Sequence, residues 1–481
     1  MNGAPSFDAA RDAAHEHGAH PGVQRFGRWF ALVSFLALMY APGVALEPLQ
    51  RRALAVTVVT ATLWLTQAIP LGAASLVPVV LLPLLGVLPA EEASTAYMDN
   101  IVLLFFGAVI VAAGLERWGV HRRMALALVD VVGTQPRRLV LGFTVATAFV
   151  SMWINNTAAA LMMYPIGLAV ITAVSGKEGV RSTPFAMSLL LGIAYGASIG
   201  GVVTPVGTAP NQILLGTLGK SFPDAPPISF VAWSLAWLPY AVLFALGTWW
   251  ILTRVAFKVG SESLAGRETI RAERAKLGAP ARGEIMMGAV FGLTALLWVT
   301  RSDLELGALT IPGWSGAVAR VLAVAGADPT KVASYITDAT VAVGMGVLCF
   351  FLPVDRARGV RLMDWETVAK TPWDVLLLFG GGFCIAKGFR ASGLDIALGH
   401  AIAPSLHGLS PLLVVGVVAT FMTLLSELTS NTVITTLMLP ILAGIAREGH
   451  LHPLLLMAPA TIAASSGFML PVATPPNAIA F

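Results

Sequence analysis

The sequence predicts an all-α polytopic membrane protein made of two inverted repeats, each with a re-entrant helical hairpin and a broken transmembrane helix. Three observations predict it. The chain is far too apolar for water, four short motifs recur in order at a nearly constant offset, and two apolar segments are too long for one membrane crossing.

The first observation is compositional. Of 481 residues, 56% are hydrophobic and only 12% charged, against roughly a quarter charged in a soluble domain. Apolar stretches of about 17–25 residues, each enough for a hydrocarbon core of roughly 30 Å, recur along nearly the whole chain. A β-barrel is excluded, because runs such as Ile101–Leu115 and Leu412–Leu425 are apolar on every side and do not alternate. The net charge of +4 implies no nucleic-acid partner. Cys349 and Cys384 both fall inside apolar segments, where a packing role is expected and a disulfide is not.

Taken in order, residues 1–28 carry no apolar run and no cleavage pattern, and read as a cytoplasmic tail. Spans follow near 29–46, 53–69, 71–89 and 101–116, then a long segment, 139–174. After it come 185–218, 229–253, 285–300, 339–353 and 373–389, a second long segment, 411–446, and a last one from 454. Two charged connectors, Arg254–Glu284 and Arg356–Lys370, separate the blocks. With the N-terminus cytoplasmic and the two long segments re-entrant, 21 of the 30 basic residues lie on the cytoplasmic side, the bias the positive-inside rule expects; a plasma (inner) membrane location is expected. Arg51 and Arg52 fall against it.

The repeat is read from matched residues. Leu103–Gly107 corresponds to Leu376–Gly380, Asn155-Asn156-Thr157 to Ser430-Asn431-Thr432, Pro165 to Pro440, and Thr208–Asn211 to Thr474–Asn477. The offsets are 273 to 275 for the first three pairs and 266 for the last. An odd number of crossings between the halves makes the repeats inverted, an architecture of transporters with a site near the midplane. As one helix, 139–174 would be about 54 Å long at 1.5 Å per residue, so a hairpin with Asn155-Asn156-Thr157 at its tip fits better. The same holds for 411–446 around Ser426–Thr432. Backbone that leaves the helix at that depth must be buried in protein or line a wet cavity, and the prolines and glycines of Gly200–Asn211 and Pro471–Asn477 break the following spans in the same way.

No Arg, Lys or His lies in either tip or either break. A dianion held there must be neutralised by helix N-termini, side-chain amides and bound cations. Ser, Thr and Asn oxygens with freed carbonyls suit a hard cation such as Na⁺. Plain capping of the half-helices is the alternative for the same residues. An intramembrane enzyme is disfavoured, since all eight histidines lie outside the spans and Asp374 has no partner carboxylate at matching depth. Glu427 is the one carboxylate at a tip, and structural, gating and proton-coupling roles are all open to it. Trp153, beside the first tip, reads as hairpin packing.

At Ser151–Thr157, Ser430–Thr432 and Thr474-Pro475-Pro476-Asn477 the sequence resembles the divalent anion:sodium symporter family, from about Trp64 to the last residue. The resemblance implies a first sodium site at Ser151, Asn155, Asn156 and the Gly207 carbonyl. It implies a second at Ser426, Asn431 and the carbonyls of Thr429 and Ala473. Substrate carboxylates would meet Asn156 and Thr157, and Asn431 and Thr432, with Thr208, Thr474 and Pro475 closing the pocket. Asn155 stands where the family usually has Ser.

The resemblance further implies a homodimer and an elevator motion. Residues 29–138 would form scaffold helices and a first connecting helix, 139–253 the first transport repeat, 254–284 a cytoplasmic linker, 285–410 scaffold helices and a second connecting helix, and 411–481 the second transport repeat. C4-dicarboxylates taken up by Na⁺ symport are expected, with a sodium-independent exchanger or a sulfate or citrate carrier as alternatives. About 43 residues run from Asn211 to Arg254 but only four follow Asn477, so a half-helix and a final span are expected beyond the last residue.

Overall fold

The computed structural model describes residues 20–40, 46–132, 135–175, 183–260, 266–306, 309–324, 326, 336–406 and 408–480; the expected tail lies outside them as far as residue 19. Among the described residues the protein is helical apart from two short β-hairpins, Leu304–Leu306 with Leu309–Ile311 and Pro353–Asp355 with Val360–Arg361. Seven helices are long and apolar enough to cross a membrane. The chain is therefore an all-α polytopic membrane protein. Its contacts divide it into one unit of Met1–Asp99, Gly216–Pro223 and Pro372–Gly467, and another of the remaining residues.

In the first unit, Pro21–Tyr40 and Pro48–Thr66 are followed by a segment that departs from expectation. The span expected near 71–89 is instead two short helices, Leu71–Ser75 and Val77–Leu84. Pro70, Pro78 and Pro83 interrupt the ladder of N–H donors, and eight residues reach only about 12 Å. Polar residues inside Pro48–Thr66 are satisfied locally, as Thr57, Thr60, Thr62 and Thr66 each return a hydroxyl proton to the carbonyl four residues back. Trp373–Ser392 packs here through Gly380, Gly381 and Gly382, where added Cβ atoms would strike the Tyr97 ring, the Ser75 backbone and Thr436. Tyr97 in turn donates to the Ser75 carbonyl (2.6 Å), and Trp64 to the Ser75 hydroxyl (3.0 Å). The long segment 411–446 is two helices, Pro411–Leu428 and Asn431–Glu448.

The second unit centres on Pro136–Ser151 and Pro184–Gly201. Gly192, Gly196 and Gly200 recur every fourth residue on one face, and a Cβ at each would meet Val140, Thr144 or Ala148. Small residues at that spacing let two helix backbones approach closely, which is how apolar helices associate without a hydrophobic drive between them. Asn100–Trp118 packs likewise, with Gly107 against the Ala342–Val343 backbone of Asp338–Phe351. The segment 139–174 breaks between Ser151 and Asn156 into Pro136–Ser151 and Asn156–Ser175.

Gly119, at φ 70°, turns the chain into the amphipathic helix Val120–Val132. That helix is tied to the linker helix Gly266–Lys276 by Arg122–Glu273 (3.2 Å) and Arg274–Asp130 (2.9 Å), while Arg123 pairs with Glu284. In the connector beyond Asp338–Phe351, Asp364 accepts from the Thr367 N–H (2.9 Å) and hydroxyl (2.8 Å) and pairs with Arg117 (2.5 Å). Burial pushes the Asp364 carboxyl up, but the Thr367 hydrogen bonds and the Arg117 charge outweigh it and hold the group below its ordinary value.

Candidate functional site

The first tip lies in the second unit. The helix Pro136–Ser151 ends inside the protein, and Ser151, fully buried, donates its hydroxyl proton to Asn156 Oδ1 (2.8 Å) at the start of the next helix. Asn155 is exposed and its Oδ1 accepts from the Ala158 N–H (2.8 Å). That is the geometry of a helix N-cap. The two neighbouring asparagines thus differ: Asn155 closes a helix end, whereas Asn156 turns toward Ser151.

The broken span closes over this tip. Pro184–Gly201 ends, seven residues run without α-helix, and Ala209–Ser221 resumes. Thr204 donates to the Met152 carbonyl of the tip (2.5 Å). A Cβ on Gly201 would press on Asn156 Oδ1, and one on Gly207 on the carbonyls of Gly201 and Ser151. Ser151, Asn156, Gly201 and Gly207 therefore converge, with oxygens from side chains and backbone facing positions that only glycine can occupy. Among the expected first-site residues, Ser151, Asn156 and Gly207 come together, while the Asn155 side chain is engaged in capping. Thr157 and Thr208 stand half-buried nearby in sequence.

Asn211 is the residue the sequence reading passed over. Completely buried, its side-chain amide donates to the carbonyls of Gly201 (2.9 Å), Val202 (3.3 Å) and Thr204 (2.7 Å). These are carbonyls that the break releases from the helix ladder, and Trp233 gives Val202 a further bond (3.0 Å). The signal was present as an Asn three residues after the Thr of a Thr-x-Pro-Asn break, but without coordinates it carried no direction. In the same unit, Asn477 makes the equivalent bond to the carbonyl seven residues back, Leu470 (3.1 Å), and its N–H donates to Thr474 Oγ1 (3.3 Å). Ala473 and Thr474 are buried there, and Pro475 is exposed.

The second tip lies in the first unit and repeats the local geometry of the first. Ser426, fully buried, is 2.6 Å from Asn431 Oδ1 and 2.5 Å from the Ala464 carbonyl. One hydroxyl proton serves two acceptor oxygens, leaving the cluster rich in lone pairs, which is the electrostatic setting a cation relieves. Thr429, in extended conformation, frees its backbone from both helices, and Thr432 stands half-buried behind Asn431. Glu427 is buried next to Ser426. Among the described residues no group of three or more His, Cys, Asp and Glu side chains could hold a metal ion.

The chain is similar to known proteins. Residues 24–481 match the profile of a family described as the sodium:sulfate symporter transmembrane region. The sequence is 39% identical over 435 residues to the sodium-dependent dicarboxylate transporter SdcS of Staphylococcus saprophyticus, covering 89% of this chain and 79% of that protein. It is 40% identical, over the same shares, to the SdcS of Staphylococcus aureus. Among solved structures, the YdaH transporter of Alcanivorax borkumensis matches with a TM-score of 0.50 at 14% identity, over 93% of this chain and 88% of that one. MtrF of Neisseria gonorrhoeae matches with a TM-score of 0.52 at 16% identity, over 81% and 76%. At such identities the two structures speak for the fold alone.

Proposed function

The chain belongs to the sodium:sulfate symporter family, and from that premise we propose that it imports divalent organic anions, C4-dicarboxylates such as succinate, malate and fumarate, by sodium symport. The observation that carries the reading is the Ser–Asn hydrogen bond found at both tips, Ser151 to Asn156 and Ser426 to Asn431. Each gathers buried neutral oxygens where helix backbone is interrupted, and neither has a basic side chain in the tip that could neutralise a dianion. Sodium ions supply the missing positive charge, so anion and cation bind together.

The first sodium is assigned to Ser151, Asn156 and the Gly207 carbonyl, with Asn155 holding the helix end beside it. The second is assigned to Ser426, Asn431 and the carbonyls of Thr429 and Ala473. Substrate oxygens are assigned to Asn156, Thr157, Thr208, Thr474, Pro475, Asn431 and Thr432. The hairpins are taken as re-entrant and the repeats as inverted, moving as transport parts against scaffold helices in an elevator cycle. The protein works as a homodimer in the plasma membrane with its N-terminus cytoplasmic. The relatives named for sodium-dependent dicarboxylate transport support the substrate class.

The test is uptake of radiolabelled succinate into proteoliposomes, with and without an inward Na⁺ gradient, and separately with succinate loaded inside. Uptake that requires the Na⁺ gradient and disappears in Asn156→Ala and Asn431→Ala is the expected result. Uptake driven only by internal succinate would replace symport with exchange, and competition by sulfate or citrate alone would replace the substrate.

A further inference from the structure

Behind the first tip lies a cavity of about 10 Å³, walled by the apolar side chains Leu115, Met124, Val150, Ile154 and Phe291 and completed by His121 and Trp153. That is room for about one water molecule. The two remaining lining residues are rings that each carry a nitrogen. The indole Nε1–H of Trp153 is buried and has no hydrogen-bond partner among the described residues. The ring is not free to turn away, since it stacks on Phe230 (6.2 Å) and meets Phe291 edge-on (5.0 Å).

His121, one residue into Val120–Val132, has its Nδ1 2.8 Å from the Leu115 carbonyl. A carbonyl only accepts, so Nδ1 carries the proton and Nε2 is left with a lone pair. Burial lowers the affinity of the ring for a second proton against the opposing pull of the Leu115 bond, and the adjacent Arg122 adds to the lowering. The ring is neutral at physiological pH. The rings of Trp153, whose N–H has no partner among the described residues, and of His121 thus border one cavity of one-water size.

We propose that a single water molecule occupies this cavity, accepting from the Trp153 indole N–H and donating to His121 Nε2. Through it the amphipathic helix Val120–Val132 holds the turn that follows Ser151. Trp153 and His121 are positioning residues: neither supplies an oxygen to a cation, and both fix the turn from which Ser151 and Asn156 do. A bridging water costs little to immobilise and bonds nearly as well as a direct contact, whereas a buried N–H left unpaired is expensive.

Selective ¹⁵N labelling of the tryptophan indoles in the detergent-solubilised full chain tests this. The Trp153 signal is assigned by its loss in Trp153→Phe. The expected result is a cross-peak from that N–H to a slowly exchanging water and an upfield move in His121→Phe, with the other indole signals unchanged as a control for folding. His121→Gln, whose amide oxygen can take the place of Nε2, restores the position. No water cross-peak, together with a Trp153 signal that ignores His121→Phe, would overturn the proposal.

A second readout rests on the sodium-coupled reading of the protein. The half-saturating Na⁺ concentration for uptake rises about threefold to tenfold in either single variant, the scale of one hydrogen bond, and no further in the double variant. Additive effects of the two substitutions would also overturn the chain. Absence of sodium-dependent uptake in the parent protein would overturn the symport reading and leave the indole measurement standing.

Discussion

Ser151 gives its hydroxyl proton to Asn156, five residues along the chain and across the turn between two helices. The pair Ser426 and Asn431 has the same spacing and the same bond at 2.6 Å. A serine at the last turn of one helix and an asparagine at the first turn of the next place two oxygens where neither helix can use them. The following expectations start from that arrangement.

Removing the hydroxyl is the sharpest intervention. Ser151→Ala and Ser426→Ala each raise the half-saturating Na⁺ concentration for uptake by about tenfold or more, on the scale of one to two hydrogen bonds. The maximal rate at saturating Na⁺ falls less. Equal loss at all sodium concentrations, with unchanged half-saturation, would dissociate these serines from the cation.

Sodium itself stabilises the fold if it binds there. The unfolding temperature in detergent rises with the logarithm of Na⁺ concentration, by an increment equivalent to about 1.4 kcal/mol per tenfold for each site above its Kd. Replacement of Na⁺ by choline at constant ionic strength removes the effect. A curve identical in choline would mean that no sodium is held in the native state under those conditions.

Gly207 leaves no room for a side chain, because a Cβ would collide with the Gly201 carbonyl. Gly207→Ala must push that carbonyl aside, an overpacking cost of about 1–3 kcal/mol, and with it displace the oxygens around Asn156. Thermal unfolding measures the first effect and sodium dependence of uptake the second. A variant with parental values in both would show that the backbone adapts freely.

Asn211 braces three carbonyls, and Asn211→Asp keeps its size while replacing the donor amide by an acceptor. Carboxylate and carbonyl oxygens then face one another in a buried place, at a cost of several bonds of about 0.5–1.5 kcal/mol each. The variant is expected to express poorly and to unfold well below the parent temperature, with Asn211→Ala intermediate.

Acid sensitivity follows from Asp364. Its folded pKa lies below the ordinary carboxylate value, so the unfolded chain takes up a proton at higher pH than the folded one. The pair with Arg117 therefore stabilises fully above the ordinary value of 3.8 and is lost as pH falls through the folded pKa. Asp364→Asn flattens that part of the stability profile; the effect is small because the side chain is 47% exposed and solvent screens it. An unchanged profile from pH 6 to pH 3 would remove Asp364 from the account.

The roles expected of Asn156 and Asn431 came from the resemblance, whereas the tips themselves were legible because a polar cluster inside an apolar run has few uses. The division of labour between Asn155 and Asn156 was not, since both carry the same amide and only backbone direction decides which one caps. Pro78 and Pro83 were visible in the sequence, yet hydropathy averaged over 71–89 hid them, and the expected span resolved into Leu71–Ser75 and Val77–Leu84. Asn211 and Trp153 depend on partners at Gly201 and Phe291, contacts made by folding across tens of residues and silent in any local pattern.

The glycines at 192, 196 and 200 have a consequence for how such a protein can diversify. Their helix meets the backbone of Pro136–Ser151 at Gly196 and Gly200 and the Thr144 side chain at Gly192, so these positions have no room for a larger side chain beside the tip. On the proposed assignment, selection for a new cargo works on residues such as Thr157 and Thr208, which are half-buried and keep some solvent-accessible surface, while the seam beside them stays the same. A library built to alter substrate choice is best confined to those edges, and variants inside the seam serve as its negative controls.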